Sequence, residues 1–390
     1  MNLIIPVEKR YDLPQNFTQL NYITEKLFMN VSTDRTLIHQ KIYAKELRSL
    51  MPPEAFIPDP SKLIILFISL AILILGWMIA ARLDSWSPYL LWLYVPLSII
   101  MGNSVVVLLF STHDLMHGSV IKNPRLIYII SFLGLTMLWM PPTLWKAVHN
   151  RVHHNHTNDL DDPDRNYLYE QSSTWGKWIQ DLFVPSTEVN PIWFIVGMTS
   201  AWGVHTFRNV TSVLFFNHKS VDYVPAAFTV SPKDRRAIAG ELLMMIVIHL
   251  SILIYLQFDP IKLILGYFLP IAIGYAGVIF YIYTNHLLCR MTSVNDPLIN
   301  SMSLRVYKIF DLLHLNFSHH TEHHIFPGMN SDYYVIVRDL LETHYSKNFN
   351  LLDAGEAWYL LLKTPRHYRD ENTLTDWSGE KSVPCPTSDS

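Results

Sequence analysis

The stretch YLLWLYVPLSIIMGNSVVVLLFSTHDLMH, residues 89–117, decides how the chain is read. Its first part, Tyr89 to Phe110, holds no charged side chain and is long enough to cross a bilayer, which takes roughly 20 apolar residues. Its end, HDLMH, sets His113 and His117 four apart, one helical turn from each other on one face. A span that carries two imidazoles to its own end is the unit from which the rest is built.

Three more stretches have the same length and apolarity: Leu63 to Ala81, Ile238 to Phe258 and Ile261 to Tyr283. The joints within each pair are short, RLDSWSP in the first and FDP in the second. Two helical hairpins follow, with their tips on one side of the membrane. The N-terminal segment, the middle loop and the C-terminal region share the other side. They hold most of the lysines and arginines, so the positive-inside rule puts them, both termini included, in the cytosol.

Composition agrees. Half of the 390 residues are hydrophobic (50%), mean hydropathy is +0.17, and only 16% are charged, against about 25% in soluble domains. A net charge of -3 gives no basic field for nucleic acid, which is set aside as a partner. Cys289 and Cys385 cannot build a disulfide framework, which fits a reducing compartment. The N-terminal residues show no basic start, apolar core and cleavage site, so no cleaved signal peptide is expected.

Residues 1–60 form an N-terminal cytosolic or interfacial segment, with a helix expected over Asp34 to Leu50 that Pro52 and Pro53 end. Residues 61–345 are the membrane domain. Residues 346–390 are a C-terminal segment whose tail, from about Asp370, reads as disordered. Leu126 to Met140 is short for a crossing, and Pro191 to Phe216 is broken by His205, Arg208 and Asn209; both read as interfacial or half-inserted helices.

Of the 18 histidines, six lie between His113 and His156 and five between His314 and His324. The second cluster, HNRVHHNH, repeats the four-residue spacing with His149 and His153, then adds His154 and His156. The third, HLNFSHHTEHH, sets His320, His323 and His324 on one helical face. A single pair at this spacing arises by chance, but three clusters at the same ends of predicted spans point to a metal site. Eight histidines fill the three motifs, and His286, directly after the fourth span, is a ninth candidate. One tetrahedral ion needs four ligands, so this supply fits two ions. Imidazole alone does not choose among zinc, copper, iron and nickel. Asp159, Asp161, Asp162 and Asp164, just after the second cluster, read either as acceptors for ligand imidazoles or as a solvated loop. His205, His218 and His249 read as packing residues, Cys289 as structural, and Glu322 as pointing off the ligand face.

The motifs HDLMH (113–117), HNRVHH (149–154) and HTEHH (320–324), with the run HHNHTNDLDDPD and the closing HHIFP, resemble the histidine boxes of the membrane fatty acid desaturase superfamily. The likeness covers about residues 60 to 345. It implies an all-α integral membrane fold: four transmembrane helices as two hairpins, with interfacial helices and a cytosolic helical cap carrying the boxes. It implies a di-iron centre ligated by His113, His117, His149, His153, His154, His320, His323 and His324, with His286 as the further ligand. Asn285 would then hold a bound water, and His156, His314 and His319 would support the ligands or the packing. It also implies O2 as co-substrate and an external electron donor of the ferredoxin or cytochrome b5 type. His320 stands where desaturases acting between an existing double bond and the carboxyl end carry glutamine, and no HPGG-type haem segment occurs; both argue against that subgroup.

The resemblance implies insertion of a cis double bond into an acyl chain carried as acyl-lipid, acyl-CoA or acyl-carrier protein. The chain would enter from the bilayer through an apolar slot, with Trp139, Met140 and Trp145 as expected walls. A lipid, alkane or carotenoid hydroxylase or ketolase is the nearest rival, and a membrane metal transporter a distant one. The transporter would need polar ligands within the spans, which are nearly free of ionisable groups.

Overall fold

A computed structural model of the chain describes residues 37–171, 190–217, 221 and 223–387. Four helices are long and apolar enough to cross a membrane: Pro60–Ala80, Pro88–Met116, Pro232–Tyr255 and Pro260–His286. They are the four expected spans, each starting at or near a proline, where the missing N–H costs nothing. The protein is a mostly helical membrane protein with little sheet.

The second span is the mast of the bundle. Its apolar window is 61% buried, against 28% for the first and third spans, and every side chain from Ser104 to Leu115 is buried. It packs on the first span, on the fourth and on the helix Pro124–Thr136. Glycines let it meet the fourth span closely. A Cβ at Gly274 would stand 2.6 Å from Val105 Cβ, and one at Gly102 only 2.5 Å from Ile273 Cγ2. Without water between helices, van der Waals packing holds such an interface, and small residues permit it. The outer faces keep Ile64, Phe67, Ile68 and Leu75 of the first span exposed, as lipid contact requires.

Both hairpin tips do fall on one side. Lys262 Nζ, at the start of the fourth span, lies 2.9 Å from Asp84 Oδ2 in the turn between the first two spans. Its other contact is Gln257 Oε1 at 2.8 Å.

The ambiguous stretches become two helices. Pro124–Thr136 is 13 residues long and stops before Pro141 and Pro142. Pro191–Phe216 is one unbroken helix of 26 residues that packs on the third and fourth spans and is not among the four apolar ones. At the opposite end from the tips, the helix Gln40–Arg48 buries Tyr43 and Leu47, one turn apart, and packs on the helix His320–Ile325. Its cap is His39, so it begins later than Asp34, which lies outside the described residues.

The expectation of a disordered tail is corrected. Residues 367–384 form a three-stranded antiparallel sheet, His367–Tyr368, Thr373–Thr375 and Ser382–Pro384. Tyr368, Leu374 and Cys385 are buried with Met291 in a small apolar cluster. The polar composition concealed it because three buried side chains suffice to dock so short a sheet.

Candidate metal centre

Four pieces of chain deliver the histidines. The second span ends in His113, with His117 one turn on, and the fourth span ends in His286. The second box lies on a π-helix, Lys146–His153, continued by His154–His156. The third forms the short helix His320–Ile325.

The nine imidazoles fall into two groups. Ring nitrogens of His113, His117, His149, His154 and His323 lie within 4.8 Å of one another, as do those of His153, His286, His320 and His324. In the first group, His154 Nε2 is 3.1 Å from both His149 Nε2 and His323 Nε2. In the second, His320 Nε2 is 2.7 Å from His286 Nε2 and 3.0 Å from His324 Nε2. Ligands about 2.1 Å from a shared cation at right angles stand about 3 Å apart, so these spacings suit coordination. His113 Nε2 and His117 Nε2 are buried without a hydrogen-bond partner, which an ion would supply. The groups adjoin, with the rings of His154 and His324 4.6 Å apart.

Two details of the pairing differ from the helical-face expectation. His149 and His153, four apart, separate into different groups, and His149 joins His154 instead. A π-helix bonds residue i to i+5, so residues five apart come one above the other. Likewise His323 leaves His320 and His324 and faces the first group. His113 and His117, on ordinary α-helix, stay together as the spacing predicts.

The outer ring nitrogens are held as metal ligands require. His153 Nδ1 meets both oxygens of Asp162, at 3.0 and 3.2 Å, and His113 Nδ1 meets Asp114 at 3.3 Å. His286 Nδ1 donates to Asn300 O at 2.9 Å. His323 Nδ1 pairs with Tyr334 Oη at 3.0 Å, and His324 Nδ1 with Thr157 Oγ1 at 3.3 Å. This turns each Nε2 inward. Burial, then the charge of neighbouring imidazoles, holds His117, His149, His154, His320, His323 and His324 well below the usual histidine range, in the neutral form a metal needs. Burial also works against protonating His153, but the Asp162 and Asp164 carboxylates together raise that imidazole.

Of the other expected residues, Asp162 supports a ligand directly. His156 and Asp159 do not: they pair with each other at 2.8 Å near the surface. His319 bonds Ser318 Oγ at 3.1 Å, and its carbonyl caps the third-box helix through His323 N at 3.1 Å. His314 joins Tyr281 and Asn103 in the bundle. Glu322 points away as expected, into a buried ion pair with Arg338 at 2.7 Å. Asn285 is buried beside His286, its Oδ1 without a partner. Asp114, Tyr334, Thr157 and the Asn300 carbonyl were not foreseen. Asp114 lies within the first box and was legible; nothing in sequence marks the others.

A cavity of about 160 Å³ opens against both groups, touching His113 and His149 of one and His153, His286 and His320 of the other. Leu109, Ile279, Ile282 and Phe317 give it apolar walls. Met140 and Trp145 line it as expected, but Trp139 does not. Its ring stacks on His249 at 3.9 Å, and a φ of 55° turns that side chain away.

Four spans, with nine histidines gathered in two groups beside one partly apolar cavity, define a membrane protein whose histidine groups could hold metal. The fatty acid desaturase family model matches residues 90–348, and the chain belongs to that family, a superfamily of oxidoreductases. No curated protein matches it.

Proposed function

We propose that the protein is an O2-dependent acyl desaturase that uses two histidine-bound iron ions. One observation carries the reading: five and four imidazoles, each group compact enough for one ion, border a single cavity with apolar walls. Iron, when bound, supplies the reductive activation of O2 that lets unactivated C–H bonds break. The overall change balances as one saturated acyl chain, one O2, two electrons and two protons giving one cis alkene and two waters. The electrons come from an external donor of the ferredoxin or cytochrome b5 type. The acyl chain arrives as acyl-lipid, acyl-CoA or acyl-carrier protein, with the boxes on the cytosolic side.

The chain's own residues have definite tasks. His113, His117, His149, His154 and His323 hold one ion; His153, His286, His320 and His324 hold the other. Asp162 and Asp114 orient His153 and His113. Asn285 presents its carbonyl oxygen to a water beside the second group. Leu109, Met140, Val148 and Ile279 exclude bulk water from the methylenes to be oxidised.

The test is incubation of the iron-loaded protein with a reductant and acyl-lipids, followed by mass spectrometry. Loss of two hydrogens supports the reading. Gain of one oxygen would replace it with hydroxylation, whose balance sends the second oxygen atom to a single water.

A further inference from the structure

The cavity is not an all-apolar slot. Beyond the histidines its wall carries Asp164, Arg165, Tyr167, His205, Arg208 and Tyr223. Arg165 is only 5% exposed, and its guanidinium is fixed by carbonyls of Asn166 at 2.7 Å and Pro225 at 2.8 Å. Arg208 is anchored to Pro163 O at 3.0 Å.

Three buried N–H donors on cavity residues have no partner: Trp145 Nε1, Arg165 Nε and Arg208 Nε. A hydrocarbon filling this space would leave each one desolvated, at about 1–3 kcal/mol per group. Something rich in acceptors belongs there.

The polar wall also stands close to the metal ligands. The Asp164 carboxylate lies within 4.8 Å of a His153 ring nitrogen. It accepts from His205 Nε2 at 2.8 Å and lies 3.9 Å from Arg208 Nη2. Trp145 lies with its ring centroid 4.6 Å from that of His149. The donors and the ligand set are thus two sides of one small space.

We propose that this wall binds the oxygen-bearing end of the substrate, an acyl carboxylate or carbonyl, with Arg208 as its main determinant. The carbons oxidised are then those near that end. The inference rests on the reading of the site as an acyl oxidant and names which part of the acyl molecule it holds.

Binding tests it separately from chemistry. Tritiated palmitate, methyl palmitate and hexadecane are titrated onto the iron-loaded protein in detergent without reductant, so that binding is read with no turnover. Both oxygen-bearing ligands should bind about tenfold or more tighter than the alkane. Arg208→Met should bring palmitate close to hexadecane, and Arg208→Lys should restore part of the difference. Equal binding of all three to the wild-type protein overturns the proposal without reference to any variant. So does an Arg208→Met loss that is the same for the alkane, since that marks a purely structural role. With reductant added, the product should be modified in the carboxyl half of the chain; modification in the methyl half overturns it. Gain of oxygen in place of a double bond would defeat the desaturase reading and leave the binding result standing.

Discussion

His153 is buried at the junction of the second box with the second histidine group. It is the one histidine of its box in the second group, and its Nδ1 is held by Asp162. Alanine at His153 should lower bound metal well below two ions per chain, starting with the ion of the second group, read by elemental analysis of purified protein. Asp162→Asn keeps the shape and should lower affinity for that ion by about 10–100-fold. His156→Ala, three residues along the chain, removes only a pairing with Asp159 near the surface and should leave metal content unchanged, with stability within about 0.5 kcal/mol. All nine ligand candidates were legible because imidazoles cluster in so few segments of this chain. Trp139 was misread because a residue's neighbours in sequence do not reveal a left-handed backbone, and φ decides where its ring goes.

At the scale of elements, apolar length gave the four spans, and short joints gave the hairpins. Helical period then failed in two boxes, most plainly in the second. Counting at 3.6 residues per turn pairs His149 with His153, whereas the π-helix pairs His149 with His154. Nothing local in KAVHNRVH distinguishes a π-turn from an α-turn, so the difference comes from tertiary demands around the site. The contact of the second and fourth spans offers a sharper prediction. A side chain at Gly274 meets Val105 at once, and since both helices carry ligands, the damage should spread. Gly274→Val should destabilise by about 1–3 kcal/mol or more, seen as a lower melting temperature in detergent, and should reduce metal content although no ligand has changed.

The whole molecule contains a support that composition hid. The C-terminal sheet sets Tyr368 Oη 2.6 Å from the Cys289 carbonyl and 2.8 Å from Asn158 Nδ2. Asn158 in turn reaches the His286 carbonyl at 3.3 Å and donates its backbone N–H to Asp162 at 2.8 Å. A tail that read as disordered therefore braces His286 and, through Asp162, His153. Truncation before His367 should lower both the melting temperature and the metal content, measured together on one preparation; a truncated protein that keeps two ions would deny the tail this role. Polar residues in a short sheet give no periodic signal strong enough to announce such a dock.

The division of the boxes between the two groups has one more consequence. The second box gives His149 and His154 to one group and His153 to the other, and the third gives His323 to one and His320 with His324 to the other. Neither ion has a private scaffold. Whichever arrives first must draw the second and third boxes into register, and that leaves most of the other ion's cage already assembled. Metal uptake should therefore be cooperative: titration of the stripped protein should pass steeply from empty to doubly loaded, with few singly loaded molecules in native mass spectra. Filling the centre becomes a checkpoint on the assembly of the entire cap, because half of it cannot be completed alone.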